Sequence, residues 1–143
     1  MSKTTTGSCL CGAVKMEARG EPLRVMHCHC PSCRKATGAA FATFVDYASD
    51  SVTFTGTGMK TYASSPGVTR RFCGECGSTI SYQGDNWPDE INISLGFFDN
   101  PEGFTPQSHC YVKTALPWLH MDDGLPKVKT FSTEEQDGEQ DGE

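Results

Sequence analysis

Cys73-Gly74-Glu75-Cys76-Gly77 and, sixty-odd residues earlier, Cys9-Leu10-Cys11-Gly12 are two short knuckles, each closed by a glycine. Zinc takes four thiolates at about 2.3 Å in a tetrahedron, and a tight turn delivers two sulfurs from one segment to one side of an ion. Glycine after each knuckle permits the left-handed backbone that points amides towards sulfur. The two knuckles therefore close one site of Cys9, Cys11, Cys73 and Cys76. With every coordination position filled, its expected role is structural.

A second cluster, Cys28-His29-Cys30-Pro31-Ser32-Cys33, puts three thiols inside six residues. Three protein ligands leave a position for water or substrate, the arrangement expected of a reactive zinc. Two other arrangements meet the same spacing: a shell closed by His27, His29, His109 or Cys110, or three metal-free, oxidation-prone thiols. His109 and Cys110 adjoin on an expected strand, so their side chains point to opposite faces and at most one serves a given site. His120 has no evident companion.

Around these motifs the chain reads as strands. Val14, Met16 and Ala18 alternate with Lys15 and Glu17, and similar runs recur at 23–27, 41–45, 52–55, 60–62, 68–72, 79–82 and 91–95, divided by Gly, Pro, Asn and Asp. One short helix is predicted over 31–37, with Pro31 near its start and Gly38 where a C-cap belongs. A hydrophobic share of 36%, with 15 Gly and 8 Pro among 143 residues, suits a mainly β domain of many turns. The domain is expected to span 1–132, followed by an acidic disordered tail at 133–143.

That tail carries the net charge of −6, because six of the eighteen acids lie from Glu134 onward with no Lys or Arg among them. The rest is formally neutral and has no basic stripe, which argues against a nucleic-acid partner. Residues 1–7 hold one Lys and no apolar run, so neither a signal peptide nor a membrane span is expected, and a cytoplasmic location follows. In a reducing compartment eight cysteines are not expected to form disulfides, and the seven that cluster read as metal ligands.

The order and spacing of three segments resemble the glutathione-dependent formaldehyde-activating enzyme family, whose relatives include centromere protein V. They are Gly7-Ser8-Cys9-Leu10-Cys11-Gly12-Ala13-Val14, Cys28-His29-Cys30-Pro31-Ser32-Cys33-Arg34-Lys35 and Arg70-Arg71-Phe72-Cys73-Gly74-Glu75-Cys76-Gly77-Ser78. The resemblance implies an Mss4-like fold of several coiled antiparallel sheets with zinc knuckles. It implies a structural zinc on Cys9, Cys11, Cys73 and Cys76 and a catalytic, more labile zinc on Cys28, Cys30 and Cys33. The implied activity is a carbon-sulfur lyase run backwards, adding the thiol of glutathione to formaldehyde to give S-hydroxymethylglutathione.

Arg34, Lys35 and Arg70 are candidate partners for substrate carboxylates, and His109 is a further substrate-binding candidate. Phe72, Tyr62 and Trp118 read first as core aromatics and second as walls of a pocket. The rival to a thiol-aldehyde enzyme is a noncatalytic zinc-binding module that docks other proteins. An open, thiol-exchangeable metal site favours the enzyme, and a large exposed apolar patch beside a closed second shell favours the module.

Overall fold

The structure, a computed structural model, describes residues 3–130; the expected acidic tail lies outside them. Ten strands run in chain order: β1 (Thr4–Ser8), β2 (Val14–Arg19), β3 (Arg24–Cys28), β4 (Ala42–Ala48), β5 (Val52–Gly56), β6 (Met59–Ser65), β7 (Val68–Cys73), β8 (Thr79–Gly84), β9 (Glu90–Ser94) and β10 (Ser108–Cys110). The one α-helix among the described residues, α1 (Pro31–Thr37), follows β3. The architecture is mainly β, as the turn-rich composition predicts. No helix in this range is long and apolar enough to cross a membrane.

The described chain divides into two compact units. The first comprises 3–24 and 45–104. There β2 lies between β1 and β5 in an antiparallel sheet with Met16 opposite Gly7 and Phe54. Val14, Met16 and Ala18 are buried while Lys15, Glu17 and Arg19 are exposed, which is the alternation read in the sequence. β1 carries no apolar alternation and escapes a periodicity search. Its Thr6 and Ser8 hydroxyls donate instead to the two carboxylate oxygens of Asp99, at 2.7 and 3.3 Å. The same unit holds strands in the order β4-β9-β8-β7-β6, β4 contributing residues 45–48. Tyr47, Ile80, Ile93, Phe97 and Phe98 fill its core.

The second unit comprises 25–44 and 105–130 and has the order β10-β3-β4. β10 runs parallel to β3, with His109 beside His27 and Cys110 beside Cys28. This departs from the expected antiparallel sheets: some eighty residues separate the two strands, so they meet by a long crossover rather than a hairpin. α1 forms as predicted. Cys30 caps its N-terminus, accepting the Cys33 N–H on sulfur, and Gly38 closes it in the left-handed region at φ 68°, donating to the Arg34 carbonyl. The large apolar side chains buried in this unit are few, Val25, Phe44 and Val128. Three cysteines, Ala42, Thr130 and the rings of His29 and His109 are buried there as well.

A buried carboxylate in the first unit links stability to pH. Arg24 meets Glu90 with both guanidinium ends, at 2.7 and 3.1 Å, and Asp46 Oδ2 with one, at 2.9 Å. Glu90 is thus its main ionic partner, and Asp46 Oδ1 has no hydrogen-bond partner. Burial pushes the Asp46 carboxyl up to about 7, outweighing the downward pull of Arg24. An unfolded Asp titrates near about 3.9, so between those values the folded chain binds more protons than the unfolded one. The stability contributed by this group is complete below about 4 and is lost as pH rises through about 7. Urea unfolding of the parent and of Asp46→Asn is therefore expected to diverge in favour of the variant between pH 5 and pH 8. A pH-independent difference would contradict a raised carboxyl.

Candidate functional site

The first unit brings Cys9, Cys11, Cys73 and Cys76 together with all four sulfurs within 4.8 Å of one another. Each knuckle is a turn closed by a backbone bond, Gly12 N–H to the Cys9 carbonyl and Gly77 N–H to the Cys73 carbonyl. Both glycines have the positive φ expected of them, 82° and 81°. Amides then point at sulfur: Val14 N–H meets Cys9 Sγ at 3.3 Å, and the N–H groups of Glu75 and Cys76 meet Cys73 Sγ at 3.3 and 3.5 Å. Sulfur tetrahedra around zinc have edges of about 3.8 Å. The Cys9–Cys11 and Cys11–Cys73 separations are 3.7 and 3.8 Å, so the set fits such an ion.

Ser78 ties the two knuckles together. Its hydroxyl accepts the Leu10 N–H at 3.0 Å and lies 3.2 Å from Cys76 Sγ. Its hydroxyl and N–H hold the Cys76 thiol down to about 5. The Ala13 N–H pulls on Cys11 in the same sense, but burial and the sulfurs of Cys9, Cys76 and Cys73 outweigh it and push that thiol up to about 11. Crowded sulfurs oppose one another's ionisation, and a cation among them would stabilise the thiolates.

In the second unit the sulfurs of Cys28, Cys30 and Cys33 also lie within 4.8 Å of one another, and no fourth His, Cys, Asp or Glu among the described residues joins them. The end of β3 supplies Cys28, the cap of α1 supplies Cys30, and the helix supplies Cys33. Cys28 and Cys33 are 3.4 Å apart, far beyond a disulfide length of about 2.05 Å, and none of the eight cysteines is bridged. Bonds to Cys30 and Cys33 together with burial push the Cys28 thiol far up. A cation there would be held by three sulfurs.

The peptide between Cys28 and Cys30 is fixed from several sides. His29 N–H donates to the Cys110 carbonyl at 3.0 Å, while the His29 carbonyl accepts from Arg34 Nη1 at 2.9 Å and from Thr114 Oγ1 at 3.1 Å. The His29 ring stacks on Phe41 and meets His109 Nδ1 through Nε2 at 3.0 Å. His109 Nε2 in turn lies 2.8 Å from Asp123 Oδ2. Burial, with the nearby His109, His27 and Arg34, pushes the His29 imidazole down to about 4 and keeps it neutral. The sequence gives no sign of Asp123, which lies in an irregular loop fourteen positions from its partner His109 on β10. Ser78 could have been suspected as the neighbour of a knuckle.

The remaining expected residues fall in separate places. Arg34 lines an open groove of about 410 Å³ with Lys35, Pro31, Leu116 and Trp118, although its Nη1 is held by the His29 and Thr114 carbonyls. Trp118 and Tyr62 are exposed, not core as first read, because neither belongs to a strand face that the units bury. Arg70 lies in the first unit, its Nε bonded to Ser64 Oγ and its guanidinium over the Tyr82 ring. His109 is fully buried with both nitrogens engaged, and Cys110 Sγ turns to Met26 Sδ at 3.3 Å. Neither closes the three-sulfur set.

Fold and clusters together define a cysteine-rich, mainly β protein with separate candidate metal sets. Residues 4–114 match the glutathione-dependent formaldehyde-activating enzyme family, and the chain belongs to that family. It is accordingly an enzyme of the lyase type, in the general class that joins a thiol to a small electrophile. An uncharacterized lyase of Schizosaccharomyces pombe is 31% identical over 99 residues, covering 69% of this chain and 72% of that protein. A crystal structure of a Rhodobacter sphaeroides protein superposes with a TM-score of 0.56 at 20% identity, over 86% of this chain and 99% of that one, a likeness of fold.

Ser78→Ala removes the clasp between the knuckles and the hydroxyl on Cys76. Loss of an outer-shell partner of this kind costs about 10–100-fold in metal affinity. If zinc occupies both sulfur sets, competition with a chromophoric chelator is expected to show that weakening for one ion and an unchanged second. Equal weakening of both would mean that Ser78 acts on the whole fold instead.

Proposed function

We propose that the chain adds a small thiol, glutathione or a similar compound, to formaldehyde or a related small electrophile, using zinc held by Cys28, Cys30 and Cys33. The observation that carries this reading is the contrast between the two sulfur sets, four in the first unit and three in the second. On this reading Cys9, Cys11, Cys73 and Cys76 hold a closed, structural zinc, and the three-sulfur zinc is the more easily lost. A zinc with an open position supplies a Lewis-acidic site that favours the deprotonated form of an incoming thiol.

The protein's own residues place that thiol. The clamp on the His29 carbonyl by Arg34 and Thr114 keeps Cys28 and Cys30 in fixed register, and the Cys33 N–H steadies Cys30 sulfur at 3.3 Å. The groove along α1 offers Lys35 for a substrate carboxylate and the exposed Trp118 and Leu116 for its apolar part. Arg34 serves as a second carboxylate partner in this proposal, through the guanidinium nitrogens that the backbone carbonyls leave over. Arg70 and His109, one paired in the first unit and the other buried, take no part. In the reaction the carbon-sulfur bond forms as the carbonyl π bond breaks, and the thiol proton ends on the new hydroxyl oxygen.

Structural zinc contributes roughly 10–16 kcal/mol in small metal-folded peptides, against roughly 5–15 kcal/mol of net stability in a whole domain. Cys73→Ser is expected to unfold or aggregate, whereas Cys30→Ser stays folded and loses thiol chemistry; equal thermal stability would contradict the division. Calorimetry separates the metal contact from the groove. Glutathione is expected to bind with proton release, more tightly as pH rises towards the thiol value of about 8.5, and S-methylglutathione much more weakly. Equal binding of the two would sink the zinc-thiol reading and leave only the groove.

A further inference from the structure

A third cluster lies in the second unit, apart from the three sulfurs. One ligand nitrogen each of His27 and His109 and one carboxylate oxygen of Asp123 lie within 4.8 Å of one another. We propose that these three residues form a binding site for a divalent first-row transition ion, of the two-histidine, one-carboxylate kind. The donor set suits ions from Fe²⁺ to Zn²⁺, and three ligands leave positions open.

What distinguishes the cluster from a chance meeting of polar groups is that each candidate ligand has one polar atom anchored by a neighbour and a second one left to offer an ion. His27 Nδ1 is bonded to Thr43 Oγ1 at 2.8 Å, which leaves Nε2 for the ion; that nitrogen has no hydrogen-bond partner among the described residues. His109 Nδ1 is bonded to His29 Nε2 at 3.0 Å, which leaves Nε2. Asp123 Oδ1 accepts the Leu125 N–H at 3.1 Å, which leaves Oδ2. Outer hydrogen bonds of this sort fix ring orientation and tautomer at metal sites.

The geometry agrees. His109 Nε2 and Asp123 Oδ2 are 2.8 Å apart, close to the edge of about 2.9 Å between adjacent ligands of an octahedral ion with bonds near 2.05 Å. The two imidazoles are tilted by 33° with centroids 4.7 Å apart. His109 is fully buried and fixed on β10, while Asp123 is about a third exposed, so the ion has a protein wall on one side and access on the other.

Without an ion, His109 donates from Nε2 to Asp123. To bind one there it adopts the other tautomer, with the proton on Nδ1 donating to His29 Nε2. His29 then carries its own proton on Nδ1, so the exchange needs no net protonation change in the pair.

The site is independent of the thiolate reading, and the test keeps the two apart. The full chain is loaded with two equivalents of zinc, which the thiolates take first, and then titrated with Co²⁺ under anaerobic conditions. Native mass spectrometry counts the ions, and absorption shows their ligands. One further equivalent is expected, without a sulfur-to-cobalt charge-transfer band, and it is expected to be lost in Asp123→Ala and in His27→Gln. Asp123→Ala leaves the buried His109 Nε2 without its acceptor, so a lowered thermal midpoint is expected, and retention of both zinc ions is the sign that the variant is folded. The proposal is overturned by the absence of a third equivalent, by one that survives Asp123→Ala, or by one that carries the charge-transfer band.

Discussion

Four sulfurs from two turns sixty-odd residues apart share one small volume, and much of the first unit follows from that convergence. Loop closure over such a length costs only slightly more than over half of it, because the entropic term grows with the logarithm of the loop. The geometric demand is stricter: sulfurs must arrive with edges near 3.8 Å and with amides pointing at them. β2 leaves the first knuckle through Val14, whose N–H reaches Cys9, and β7 ends in the second at Cys73. The strands are thus tied in register at the point where the chain makes its tightest turns.

The second unit solves a different problem. Its buried apolar side chains are few, and a small interior of that kind supplies little stability by itself. Polar and sulfur groups fill it instead, and they are tolerated because almost all are paired. His29 is bonded at its N–H, its carbonyl and its Nε2, leaving Nδ1 alone without a partner. The same bonds that satisfy the interior fix the peptide between two candidate metal ligands, so packing and chemistry are carried by one set of contacts.

Family membership and local geometry answer separate questions. The match over residues 4–114 gives the class of reaction, a lyase-type one. The number of sulfurs in each set, the occupied face of Arg34 and the groove beside α1 bear on how this chain would carry it out. Family likeness does not supply the packing of His109, which is buried, or of Arg70, which bonds Ser64 and lies over the Tyr82 ring.

The sequence by itself determined the elements whose cause is local. Alternation marks β2 and β9, proline and Gly38 bound α1, and the cysteine spacing separates four sulfurs from three, because each depends on residues a few positions apart. Tertiary structure decided what depends on distant partners. β1 pairs with β2 and bonds the distant Asp99, β10 runs parallel to β3 by a long crossover, and Ser78 reaches across to Leu10. The histidine-aspartate cluster exists because β3, β10 and an irregular loop converge. No periodicity or spacing encodes such meetings, since hydrogen bonds and coordination require atoms within a few ångströms and the chain brings those atoms together only when it folds.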